Sequence, residues 1–365
     1  NNPDWHAKAP NDAQLEQALA ELGGEVRLTP SSAALPHHDF KLPACPPALR
    51  WTPVTDAAPL AQRDIFGCTL TALATTDQRV VVLDGDLANS TKADLFANAF
   101  PHRFLQMGIA EQHMVSCAAG LASCGLTPWI STFTAFVVKR ALDQARVQVA
   151  QTHLPVKLVG SYSGLETNRT GKSHQSIEDL AVMRAMPNMV VVAPADGVEA
   201  AKAMSALQAY DGPAYLRLNR EPHRTVFSED YTFRIGQAVV LREGTDVTLI
   251  STGVQTVRAL EAAELLAQDG IDAYVLHVPT LKPLDAMAIV AAAKATGRVV
   301  TTEEHVREGG LGGAVCEVLS ELHPVPVKRL GLTTFAESGG DAELMEKYAL
   351  TPRHIADAAR TFIKT

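Results

Sequence analysis

Short, uninterrupted apolar runs recur along this chain with helical texture between them, and that alternation limits the fold more than anything else. Residues 80–84 read Val-Val-Val-Leu-Asp, and comparable runs fall at residues 127–131, 155–160, 190–193 and 214–218. These runs are continuous rather than alternating, so both faces of each strand must be covered. Between them lie helical segments near residues 63–75, 111–123, 133–151, 176–186 and 197–209. Such a succession predicts a parallel sheet with helices on both faces. Sheets of that kind bind ligands at the carboxyl ends of their strands.

A second unit starts near Tyr231, with strands expected at residues 247–251, 273–278, 299–302 and 327–330, again alternating with helices. The helix over residues 254–268 repeats apolar side chains at a helical period (Val257, Leu260, Ala263, Leu265) and stops at Gly270. Residues 24–59 are rich in Pro, Ala and Ser, lack a sustained period and read as a linker. A helix-like stretch runs from Asp12 to Leu22. The 365 residues are enough for two domains with sizeable cores. A net charge of −8 without clustering argues against a nucleic-acid surface. No apolar run approaches membrane-spanning length. The five cysteines, odd in number and without a C-x-x-C pair, read as reduced thiols in a cytoplasm rather than as a metal cluster.

The chemistry concentrates in two places. Residues 104–121 read Phe-Leu-Gln-Met-Gly-Ile-Ala-Glu-Gln-His-Met-Val-Ser-Cys-Ala-Ala-Gly-Leu, which sets one carboxylate, Glu111, at the start of a helix of small and apolar residues. Downstream, Phe133 and Phe136 stand three apart, the spacing of one helical face. Taken singly, a first-turn glutamate faces water and paired phenylalanines are plain core. Together, a buried acid beside an aromatic platform suits a flat heteroaromatic ring with a basic nitrogen. Apolar neighbours (Met107, Ala110, Met114, Val115) favour a carboxyl that holds its proton.

These residues resemble the pyrimidine-binding domain of thiamine-diphosphate enzymes, and the transketolase family most. The run Thr-Thr-Glu-Glu-His-Val-Arg-Glu-Gly-Gly-Leu-Gly from Thr301 resembles that family's carboxy-terminal domain. The opening ten residues and the stretch after them resemble the end of its diphosphate-binding domain, so the chain is expected to be a truncated or processed piece. The resemblance implies two doubly wound α/β domains: a parallel-sheet pyrimidine-binding domain over residues 60–228 and a smaller mixed-sheet carboxy-terminal domain over 229–365. Residues 1–23 would be the tail of the diphosphate-binding domain and 24–59 the linker.

By the same resemblance Glu111 engages the cofactor's aminopyrimidine, Phe136 stacks on it and Phe133 walls its pocket. Asp86 and Leu87, in Val-Leu-Asp-Gly-Asp-Leu-Ala-Asn-Ser from Val82, line the cofactor. His174, in Thr-Gly-Lys-Ser-His-Gln-Ser-Ile-Glu-Asp-Leu from Thr170, contacts substrate oxygens near the reacting carbon, where an imidazole can donate or shuttle a proton. Arg63, Ser90 and Arg220 match contacts to the phosphate of a sugar, for which guanidinium forks are suited. Two positions depart from the family: Thr170 stands where Asp is common, and Tyr162 where a substrate-facing His is common. The family's Gly-Asp-Gly metal and diphosphate motif does not occur; Asp84-Gly-Asp86 is not that motif. Thiamine diphosphate is therefore the expected cofactor, with Mg²⁺ or Ca²⁺ held by a diphosphate-binding domain or subunit and no metal ligand in this chain. The expected activity is transfer of a two-carbon ketol unit between sugars, with a phosphorylated ketose as the expected donor, by a homo-oligomer of complete units. A 1-deoxyxylulose-5-phosphate synthase-like enzyme and a non-catalytic assembly partner are the alternatives.

Overall fold

The computed structural model describes residues 11–21 and 59–364. The linker expected over residues 24–59 lies outside the described residues, Pro59 apart. Residues 1–45 group as one unit and 46–365 as another. Of the first, the described part is the helix Asp12–Glu21, with no buried side chain. Asn11 and Gln14 cap it reciprocally, each side chain accepting from the other's backbone N–H at 3.0 Å.

Among its described residues the large unit carries fourteen strands. The first eight are β1 (Leu60–Ala61), β2 (Val80–Asp84), β3 (Phe104–Gln106), β4 (Thr127–Phe133), β5 (Lys157–Ser161), β6 (Val190–Val192), β7 (Ala214–Arg217) and β8 (Pro222–His223). The rest are β9 (Val239–Arg242), β10 (Val247–Ser251), β11 (Ala273–His277), β12 (Thr280–Lys282), β13 (Val299–Val306) and β14 (Val327–Leu332). Seven strands form the larger sheet in the order β12-β6-β7-β5-β4-β2-β3, parallel except for β12 at the edge. Five form the smaller one in the order β14-β13-β10-β11-β9, where β9 is the antiparallel edge that makes it mixed. The two-domain α/β reading holds.

Strand β2 shows why a continuous apolar run was needed. Val80 and Val82 enter the core beneath the helices Gln62–Thr76 and Gly197–Ala209, while Val81 and Leu83 enter the core on the opposite face. That second core is continuous with the smaller sheet through Ile250, Leu276, Ile289 and Leu311. Strand β12 reinforces the join. It follows β11 of the smaller sheet, yet pairs with β6 of the larger. Three residues are too short a run to announce this from sequence.

The helix expected over residues 133–151 is the main local difference. Phe133 is still extended (φ −73°, ψ 146°) and closes β4; helix begins at Thr134 and ends at Arg140. After a break at Ala141 and the short turn Leu142–Gln144, residues Ala145–Ala150 wind as a π-helix. Interruptions of this kind widen the local register and often mark functional sites. Here the break leaves the Arg140 carbonyl free to accept from Gln112 Nε2 at 3.1 Å. Among the described residues, no helix is long and apolar enough to cross a membrane.

Candidate active site

Five adjacent strands of the larger sheet, in the order β7-β5-β4-β2-β3, end on the same rim. Arg220 follows β7, Tyr162 and His174 follow β5, and Phe133 closes β4 with Phe136 just beyond. Asp86, Leu87 and Ser90 follow β2, and Glu111 follows β3. Arg63 is the exception, reaching the rim from the first turn of the helix Gln62–Thr76. Parallel strands put every one of these loops on one edge, so distant stretches of sequence meet there.

Glu111 opens the helix Glu111–Ser123 and is only 4% exposed. Met114 and Val115 are buried in the same helix, as expected. The surroundings are nevertheless not wholly apolar. Arg140 Nη1 donates to Glu111 Oε1 at 2.8 Å, and the same guanidinium lies 4.0 Å from the Phe136 ring centre. Phe133 and Phe136 do not share a helical face, yet their rings stack at 5.8 Å because the strand-to-helix corner turns them together. Arg140 stands four residues after Phe136 on one helix, the spacing at which side chains meet. That signal was present in the sequence and was missed.

The loops bearing Asp86 and Glu111 are locked to each other through Gln106 at the end of β3. Gln106 Oε1 accepts from the backbone N–H groups of Asp86 and Gly108, both at 3.0 Å, while its Nε2 donates to Asp84 Oδ2 at 2.9 Å. Asp84 also accepts from Leu87 N and Ala88 N at 2.8 and 3.1 Å. Asp86 takes φ +66°, a left-handed backbone that Asp tolerates better than most residues. Burial raises the Asp84 carboxyl above its usual range, against the pull of those donors.

The His174 ring makes T-shaped contacts with Phe136 at 5.3 Å and with Phe133 at 6.3 Å, with Nδ1 2.8 Å from Ser173 Oγ. Tyr162 links this platform to the arginines. Its ring stacks on Phe133 at 4.2 Å, and the guanidinium carbons of Arg63 and Arg220 lie 5.5 and 5.3 Å from its centre. Its hydroxyl accepts from Arg63 Nη1 and lies 3.4 Å from the Ser90 carbonyl. Tyr162 holds φ +59°, an uncommon conformation for a bulky residue. The rim therefore brings all nine expected residues into two linked groups: Glu111, Phe133, Phe136 and His174 with the Asp86–Leu87 loop, and Arg63, Ser90 and Arg220 around Tyr162.

Beneath the rim lies a buried charged layer that sequence reasoning did not single out. Glu166 accepts from Arg220 N and Glu221 N at 2.9 Å each, and from His223 Nε2 at 2.6 Å. Burial works against its charge, but His223 outweighs this and holds the carboxyl below its usual range. Glu304 on β13 accepts from Leu165 N at 2.6 Å. Burial, aided by the neighbouring Glu166, pushes Glu304 up to about 8. Arg217 spans to this layer, donating to Asp179 Oδ2 at 2.9 Å and to the Glu304 carbonyl at 2.9 Å.

Comparison with known proteins gives the family. The transketolase pyrimidine-binding domain family matches residues 58–225, and the transketolase C-terminal domain family matches residues 236–355. A 6-deoxy-6-sulfo-D-fructose transketolase subunit from Clostridium sp. (strain MSTE9) is 42% identical over 298 residues, spanning 81% of this chain and 92% of that one. Mouse transketolase is 36% identical over 372 residues, which cover 98% of this chain but 58% of the mouse protein. Among solved structures, a split-gene transketolase described as an inactive β4 tetramer superposes with a TM-score of 0.78 at 42% identity, covering 84% of this chain and 99% of that one.

Proposed function

This chain belongs to the transketolase family, and on that premise we propose that it supplies the pyrimidine-binding half of an enzyme moving a two-carbon ketol unit from a ketose to an aldose. The family uses thiamine diphosphate. The residues present fit that cofactor, on the evidence of Arg140: one flat, nitrogen-rich cation rests on Phe136 while donating to Glu111. An aminopyrimidine ring can make the same two contacts once the half-exposed arginine withdraws. This double contact carries the proposal.

When bound, thiamine diphosphate would supply a nucleophilic carbon. Glu111 would hold the ring's nitrogen edge by a hydrogen bond, from a buried position where that bond is strong. Phe136 would stack on the ring and Phe133 would wall it. The Asp86–Leu87 loop closes the side nearest β2. His174, packed against both phenylalanines, donates to or takes a proton from the sugar oxygen beside the reacting carbon. Arg63, Ser90 and Arg220 hold the anionic far end of the sugar, so that the reacting end is aligned.

The diphosphate and its Mg²⁺ or Ca²⁺ are assigned to a separate diphosphate-binding subunit, with complete units assembling further. Relatives of similar length support this: one is named a subunit and another comes from a split gene. The complex, isolated through a tag on this chain, should transfer a ketol unit from ketose to aldose. Glu111→Ala should lower its turnover by about 10²–10⁴, the range for a lost acid–base group, at unchanged melting temperature. Near-normal turnover, or condensation of pyruvate with an aldehyde phosphate in place of ketol transfer, would overturn the assignment.

A further inference from the structure

The two arginines at the rim are each already partly neutralised by a carboxylate of their own. Arg220 Nη1 lies 3.3 Å from Glu221 Oε1, and Arg63 Nε lies 3.9 Å from Asp64 Oδ1. Glu221 is not a loose surface acid. Asn168 Nδ2 donates to the same Oε1 at 2.8 Å, and the Glu221 backbone N–H is fixed by Glu166. The aromatic residue between the arginines, Tyr162, takes a hydrogen bond from Arg63 without adding charge. Two guanidinium groups, two carboxylates and one phenol leave a local balance near zero. Yet the Nε atoms of both Arg63 and Arg220 are buried donors with no acceptor among the described residues. Two orphaned N–H groups in one cluster call for an oxygen anion, because leaving them unpaired is costly.

A phosphate monoester brings about 1.5–2 negative charges at neutral pH, whereas a sulfonate or carboxylate brings one. Two half-spent cations have donors to offer but little net charge. We propose that Tyr162, Asp64 and Glu221 tune this cradle for a sugar whose far end carries a single negative charge, in preference to a phosphorylated one. The proposal rests on the ketol-transfer reading above and names its substrate class. Tyr162 is the specificity residue: its ring spaces the two like charges, and its hydroxyl occupies one donor of Arg63 that a dianion would use. Glu221 sets the charge.

The test uses the complex of this chain with its partner subunit and four ketoses differing only at the far end: sulfonate, carboxylate, phosphate and hydroxyl. The sulfonate or the carboxylate should show the highest kcat/KM, whichever of the two fits better, with phosphate below both and hydroxyl lowest. Glu221→Gln preserves the acceptor for Asn168 and removes one negative charge. It should raise the phosphate-to-sulfonate ratio of kcat/KM by about fivefold, the scale of a half-exposed ion pair. Ketol transfer with phosphate preferred by the unaltered complex overturns the proposal and leaves the ketol-transfer reading standing. A ratio unmoved by Glu221→Gln does the same. No transfer from any of the four overturns both.

Discussion

Arg140 shows how a single side chain can report on a site. It is half exposed, and a solvated arginine gains little from resting on a ring unless the ring and an acid are already arranged for a flat cation. The expected residues that the fold brings to one rim, Glu111 and Phe136 among them, stood in distinctive words of sequence. Glu304 could not be read that way. Its environment comes from Leu165, Asn219 and Glu166, all more than eighty residues away in the chain. Because its folded value lies above that of an ordinary glutamate, the folded protein keeps this proton where the unfolded chain has lost it. The group's contribution is thus full below about pH 4.5 and is lost as the pH climbs through about 8. Glu304→Gln, which cannot ionise, should melt progressively higher than the unaltered protein as pH rises from about 5 to about 9, by a few kcal/mol at the upper end. Melting curves across that range check it; a constant offset would mean that Glu304 does not titrate as described.

Elements matter here for where they stop. The sequence periodicity predicted the helices Glu111–Ser123 and Gly197–Ala209 to the residue, since each is uninterrupted and starts at a sharp change of texture. It failed across residues 133–151, where small and apolar residues give no sign of a strand end, a break and a π-helix in succession. It also passed over β3, whose three residues end in the side chain that ties two loops together. Gln106 is a positioning residue by this geometry. Gln106→Leu should loosen the Asp86 and Gly108 backbones, weakening cofactor affinity of the complex about tenfold, while the melting temperature falls by the equivalent of only about 1 kcal/mol. A cofactor titration beside a thermal melt separates the two. Loss of stability without loss of affinity would reduce Gln106 to a structural role.

At the scale of the molecule, the existence of two sheets and the stretches that form them were legible because buried parallel strands must be apolar on both faces. How the sheets join was not, because β12 is three residues long and its partner β6 lies about ninety residues earlier. The site as proposed is half of a whole. With the acid, the platform and the anion cradle on this chain and the diphosphate and cation assigned elsewhere, residues 1–365 with Mg²⁺ and thiamine diphosphate should give no stoichiometric heat of tight binding in calorimetry. Tight binding by this chain alone would contradict that division. The pairing of β12 with β6 has a further consequence. The matched families meet between residues 225 and 236, yet a cut there would not release two finished bodies. The amino-terminal fragment would keep β6 with its outer row of backbone N–H and C=O groups bare, a sticky edge open to any extended chain. Within this chain the boundary between the matched families is no place to divide it.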